Sequence, residues 1–157
     1  MSAHVARGLP PKVALCSFGI LKLRSIRVLE SQSIRVSEKK GYKKLKVWEK
    51  AHKLSIEVYK YSEKFPREEL YGITSQLRRA AFSVPINIVE GHASNSRKEF
   101  LSFLNIANRS LVETEYLLEI CEELHFLSKS DYERLEELRG EIAVMLNAFT
   151  KSLRNKL

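Results

Sequence analysis

Two Glu-x-x-His pairs are the residues here best spaced for chemistry: Glu49 with His52, and Glu122 with His125. On a helix this spacing puts a carboxylate and an imidazole on one face, and two such pairs pointing inward hold di-iron centres in four-helix proteins. Neither pair meets that demand. At about 100° per residue, Glu49 and His52 lie roughly 140–160° from the middle of the apolar stripe around them. Glu122 and His125 come nearer an apolar face but stand alone at the end of a run. Ser83, and Ser94 beside His92, read more simply as cap and turn residues. No phosphate-cradling Gly-rich loop, nucleophile elbow or Cys/His dyad motif accompanies them. The two cysteines, Cys16 and Cys121, form no CxxC or zinc spacing and no disulfide framework, which suits a reducing cytoplasm. The expectation is a cytoplasmic protein with no catalytic residue, metal or cofactor.

Cations offer the other candidate chemistry. Lys43, Lys46, Lys50, Lys53, Lys60 and Lys64 recur at steps of three, four and seven along one flank of a helical segment, and Arg78, Arg79, Lys151, Arg154 and Lys156 add to them. Such groups meet phosphates with salt-dependent, sequence-tolerant affinity. Glu49 and Glu57 at helical spacing partly neutralise the flank, so on a single chain a solvated helix surface is the favoured reading. In an assembly of several copies the stripe would repeat, and weak contacts would add through multivalency. The formal charge of +8 decides little: residues 1–41 carry eight Lys and Arg against two acidic residues, residues 42–157 nineteen against seventeen. Most of the basic excess therefore precedes the segment that carries the stripe.

Residues 1–41 share little with the rest of the chain. They contain a short apolar patch, VALCSFGILKL, and a near-repeat, SIRVLESQ then SIRVSEKK. Two copies are too few for a solenoid, and the patch lacks the long clean apolar region of a secretory signal. The segment reads as a basic, disordered N-terminal extension or an over-long gene start. No apolar run reaches the ~18 residues that span a bilayer.

Residues 42–157 are periodic with a helical repeat throughout and show no strand-like alternation. Four stripes recur at steps of three and four. Val47, Ala51, Leu54, Val58, Tyr61 and Phe65 form one, and Ile73, Leu77, Ala80, Val84 and Ile88 a second. Phe100, Leu104, Ala107, Leu111, Thr114, Leu118 and Cys121 form a third; Leu135, Leu138, Ile142, Met145, Phe149 and Leu153 a fourth. Between them, Pro66 with Glu68 and Glu69 opens a helix, Gly91 ends one, and Ser96–Glu99 and Ser130–Glu133 read as capping boxes. The short connections predict an all-α, antiparallel up-down-up-down four-helix bundle over 42–157. The third helix is apolar on a second flank, where Phe103, Ile106, Leu117, Ile120 and Leu124 predict an oligomer interface.

One stretch resists this pattern. In SQLRRAAFSVPINIVEG, Pro85 falls inside the second stripe, where a helix loses the hydrogen bond to the carbonyl of Ala81. Ser83 or Asn87 is placed to mend it, and Asn87, Glu90 and one arginine are expected to form a polar knot that fixes register. Ala80, Ala81 and Ser83 are small enough to let another helix close in. The succession LKVWEKAHKLSIEVYK, FPREE, SQLRRAAFSVPINIVEG and SRKEFLSFLNIANRSLVE resembles the 23S ribosomal RNA intervening-sequence family. It is also similar to a relative of that family, the accessory variability determinant protein of diversity-generating retroelements. Arg-Arg-Ala, Ser-x-Pro-x-Asn-x-x-Glu-Gly and Glu-Phe-x-x-Phe-Leu carry the likeness, through Arg78, Arg79, Ser83, Pro85, Asn87, Glu90, Gly91, Glu99, Phe100 and Ser110. The loop HASNS after Gly91, and Asn108-Arg109 before Ser110, depart from the family pattern. The resemblance implies a four-helix bundle assembled as a ring-like homopentamer. For the retroelement relative it implies a scaffold engaging a reverse transcriptase and nucleic acid. The function expected here is a self-assembling, non-enzymatic scaffold with RNA or a nucleic-acid enzyme as partner. The competing reading is a structural or protein-adaptor oligomer without nucleic-acid affinity.

Overall fold

The structure, a computed structural model, describes residues 41–155. Apart from Gly41, the extension expected over residues 1–41 lies outside the described residues, as does Lys156. A 3-10 turn (Gly41–Lys44) leads into α1 (Lys46–Ser62). A second 3-10 turn (Arg67–Glu69) precedes α2 (Ile73–Ala93), which is followed by α3 (Arg97–Glu123) and α4 (Lys129–Arg154). Among the described residues there is no strand, and no helix is long and apolar enough to cross a membrane.

The four stripes meet in one core. Leu54 and Val58 of α1, Leu77, Val84 and Ile88 of α2, Leu104, Leu111 and Leu118 of α3, and Leu135, Ile142 and Leu146 of α4 are all fully or almost fully buried. Burying a side chain of this size contributes about 1.5–3 kcal/mol. Contacts between the helix ends show which ends lie together. Tyr42, just before α1, lies edge-on to His92 at the end of α2, and Arg78 near the start of α2 reaches Ser62 at the end of α1. His92 in turn meets Phe100 at the start of α3, and Phe100 meets Phe149 near the end of α4. Between α3 and α4, Arg139 bridges Glu115 and Glu136, and this carboxylate pairing holds its guanidinium above the ordinary arginine range.

Helix boundaries follow the capping chemistry, with three shifts from the sequence expectation. Ser96 caps α3 as expected, its hydroxyl accepting from the Glu99 N–H at 3.2 Å. The cap of α4 is Ser128 rather than Ser130; it accepts from the Asp131 N–H. The start moves earlier because the preceding turn is tight: the N–H groups of Phe126 and Leu127 both return to the carbonyl of Cys121, and buried Leu127 draws the chain straight into α4. Pro66 opens only the 3-10 turn, while α2 begins at Ile73, whose N–H donates to the Glu69 carboxylate. Gly91 does not end α2 either. The helix runs on to Ala93, and Gly91 is buried within it.

Pro85 is a buried interior residue of α2. The carbonyl it deprives of a partner, that of Ala81, accepts instead from the hydroxyl of Ser55 on α1 at 2.8 Å, the single proton being shared with the Ala51 carbonyl at 3.0 Å. Neither Ser83 nor Asn87 makes the repair expected of them: Asn87 donates to Ser83 within α2, and the Ser83 hydroxyl accepts from Ser110 of α3. An unmade bond to a buried carbonyl costs roughly 1–3 kcal/mol, so Ser55 offsets much of the proline's penalty. Replacing Ser55 by Ala is therefore expected to destabilise the fold by about 1–3 kcal/mol. In the double variant Ser55→Ala/Pro85→Ala the residue-85 N–H returns and the loss from Ser55→Ala shrinks. Urea unfolding of the four members of this cycle measures the coupling; strict additivity would refute the link.

Candidate functional site

The lysine flank is a real surface feature of α1, but a compensated one. Lys46, Lys53 and Lys60 on α1, with Lys43 before it and Lys64 after it, are exposed, and Lys50 is half-buried. Lys50 forms an ion pair with Glu141 of α4, Lys60 pairs with Glu57 at 2.9 Å, and the Lys64 ammonium lies 5.9 Å from the centre of the Tyr61 ring. Lys43, Lys46 and Lys53 make no ion pair among the described residues. Beside them, α1 and α4 enclose a groove of about 260 Å³ in which Lys50, Lys53 and Arg134 face Glu57, Glu137 and Glu141. Cations that already have carboxylate neighbours in high dielectric attract a further anion weakly.

The structure does not bring Arg78 to this flank. Its guanidinium stacks over the Tyr59 ring at 4.2 Å, and Nε donates to Ser62 Oγ at 2.7 Å, tying α2 to the other side of α1. Arg79 is exposed and unpaired among the described residues. The two histidines of the Glu-x-x-His pairs sit in different settings. His52 stacks flat on Trp48 with centroids 5.2 Å apart, and His125 adopts a left-handed φ of 60° in the turn after α3. No group of three potential metal ligands gathers among the described residues. Cys121 is buried, and burial with the negative charge of Glu69 pushes its thiol up to about 12, so it stays protonated and unreactive near neutral pH.

The motif around Pro85 forms a seam between α2 and α3. Asn87, 7% exposed, donates from Nδ2 to the Ser83 carbonyl at 2.8 Å and to Ser83 Oγ at 2.9 Å. Ser110 of α3 donates to the same Ser83 hydroxyl at 2.9 Å. The polar knot thus exists with different members: Glu90 is exposed, and no arginine joins it. A carboxylate held there would need desolvation that two serines avoid. Gly91 completes the seam. A Cβ on it would stand 2.5 Å from Phe100 Cδ2 and 2.9 Å from Phe103 Cβ, so only glycine lets α3 approach this closely. Glu99 matches the motif through its N–H, which the Ser96 hydroxyl caps.

Outside the seam lies an apolar face. Of the five residues expected there, Ile106 is 42% and Leu124 51% exposed, and Phe103 and Ile120 are half-buried. Leu117 departs from the expectation: at 6% exposed it belongs to the chain's own core. The sequence reading missed the rest of the face. Ile86 is 50% exposed on α2, and Ile56 and Tyr59 are exposed on α1. Half-buried Phe82 lies edge-on to Tyr59 with centroids 6.3 Å apart and joins the two helices. Ser83 opposite Ser110, and Gly91 opposite Phe103, put Ile86 level with Ile106 across the seam. Phe82, Ile86 and Val89 follow an i, i+4, i+7 row, a signal available in the sequence but masked by the stronger stripe on the other side of α2.

Residues 43–148, which take in the seam and most of all four helices, match the family model described as 23S rRNA-intervening sequence protein. The chain belongs to that family. A solved structure from Bacteroides thetaiotaomicron, a protein of unknown function from the S23 ribosomal protein family, is similar to it. The two share 27% identity with a TM-score of 0.61 over 67% of this chain and 98% of that one. Among curated proteins no match was found. In this family member the motif residues Ser83, Asn87, Gly91 and Ser110 are the α2–α3 seam itself. Gly91→Ala should lower stability by about 1–3 kcal/mol through overpacking against Phe100 and Phe103. An unchanged denaturation midpoint would show that α3 can shift to make room.

Proposed function

We propose that this chain is a non-enzymatic, cytoplasmic scaffold, an antiparallel up-down-up-down four-helix bundle that self-associates and engages RNA. The paired helix ends, α1 start with α2 end and α2 end with α3 start, support that topology. The observation that carries self-association is the apolar face running from Ile56 and Tyr59 over Phe82 and Ile86 to Ile106. Large aliphatic side chains half exposed on three neighbouring helices form a contiguous surface of the kind that oligomers bury. Unpaired Arg79, Glu90 and Glu113 lie on the α2 and α3 flanks of the same face. Opposite charges at its edges favour a second copy of this chain as the occupant. The resemblance supplies the copy number, a five-membered ring.

RNA is the partner class that the family's description suggests. Unpaired Lys43, Lys46 and Lys53 would repeat around a ring, where weak phosphate contacts add. A reverse transcriptase or another nucleic-acid enzyme is the protein partner consistent with this role. The adaptor reading without nucleic-acid affinity draws on Glu57, Glu137 and Glu141, which offset the lysine flank.

Light scattering at micromolar concentration should give a mass several times that of one chain, and Ile86→Glu/Ile106→Glu should reduce it to a single copy with helicity retained. A single-chain mass for the unmodified protein would overturn self-association. Separately, binding of labelled single-stranded RNA should weaken as salt rises. No binding at low salt would leave the adaptor reading in its place.

A further inference from the structure

The α3–α4 side of the molecule holds a cavity of about 400 Å³ that differs from the lysine groove in one decisive respect: no carboxylate among the described residues lines it. Its walls carry two cations, Lys151 and Arg154, and the carboxamides of Asn105, Asn108 and Asn147, with Thr150 and a fourth asparagine, Asn155, at the end of α4, above a floor that includes buried Leu104. Lys151 and Arg154 lie in the last turn of α4. Neither side chain makes an ion pair or hydrogen bond among the described residues, and the same holds for the side chains of Asn105, Asn108 and Asn147. All five polar groups are thus free to bind something else.

Folding explains only part of this arrangement. Basic residues in a last turn offset the negative end of the helix dipole. That role asks nothing of α3, and it does not call for asparagine. Asparagine is a weak helix former because its amide competes for nearby backbone groups, yet three occur on helical surfaces around one cavity with none of those bonds made. Asn105 and Asn108 sit at i and i+3 on α3, while Asn147, Lys151 and Arg154 sit at i, i+4 and i+7 on α4, so each set shares one face.

We propose that this niche binds a phosphate group carried by single-stranded RNA, which deepens, and rests on, the RNA reading above. Lys151 and Arg154 supply the charge-assisted donors that a phosphate oxygen prefers. The asparagine carboxamides carry both donors and acceptors, the pattern that reads the exposed edge of an unstacked base or a ribose hydroxyl. The cavity's volume falls within the range of small-ligand sites. Lys151 and Arg154 lie beyond the residues 43–148 that match the family model, whereas Asn105, Asn108 and Asn147 lie within them.

The test compares three variants of the full chain in RNA titrations across salt: Lys151→Ala/Arg154→Ala, Asn105→Ala/Asn147→Ala, and Lys43→Ala/Lys46→Ala/Lys53→Ala. Loss of both niche cations should weaken binding at least about fivefold and flatten the logarithmic salt slope by roughly 1.4, two contacts at about 0.7 each on a single strand. Loss of the two amides should weaken binding roughly three- to tenfold with the slope unchanged, since neutral hydrogen bonds release no counterions. Exposed Asn→Ala changes raise helix propensity, so unfolding does not account for that loss. Parent-like affinity and slope in Lys151→Ala/Arg154→Ala, with binding lost in the lysine-flank variant, would overturn the niche while leaving RNA binding intact. If the unmodified chain binds no RNA, the reading beneath fails, and inorganic phosphate is titrated while side-chain amide resonances are followed. Shifts at Asn105 and Asn147 would then assign the site to free phosphate, and unmoved resonances would end the proposal.

Discussion

Pro85 removes a hydrogen bond from the middle of α2, and the carbonyl left behind is buried where water cannot serve it. The repair comes from Ser55 on α1, so the integrity of one helix depends on the placement of another. On the adjoining side Asn87, Ser83 and Ser110 join α2 to α3. These links are directional in a way that leucine contacts are not. Sliding α2 by one turn, about 5.4 Å, against either neighbour would strand the Ala81 carbonyl or the Ser83 hydroxyl. Greasy stripes bring the helices together; this polar seam gives them one register.

The same seam shapes the outer surface. Gly91, Ser83 and Ser110 let α2 and α3 pack closely, and the bulky residues displaced from that contact emerge on the solvent side as Phe82, Ile86 and Ile106. Tyr59, held between Arg78 and Phe82, extends the face onto α1. A stacked guanidinium beside an aromatic ring is a stabilising contact and also removes Arg78 from the cations available to a polyanion.

Electrostatics divide the surface into two kinds of basic region. On the α1–α4 groove, lysines and glutamates line the same walls, and Lys50 pairs with Glu141. On the α3–α4 niche, cations stand among neutral amides. A count of positive charges in the sequence weighs both alike, although the strength of an anion's attraction depends on what surrounds each cation.

Periodicity alone determined the four helices that lie between residues 46 and 154, and it identified Leu54, Leu77, Leu111 and Ile142 as core, because the 3.6-residue repeat is a property of each segment by itself. Local capping rules placed the start of α3 at Ser96 for the same reason. Tertiary structure decided what depends on the rotation and axial register of one helix against another. It assigned the mending of Pro85 to Ser55, turned Leu117 inward and left Ile86 outward. It also made Gly91 a contact point rather than a stop, and separated Arg78 from the lysines. Each outcome turns on a neighbour distant in sequence, and no repeat within a single segment encodes which neighbour that will be.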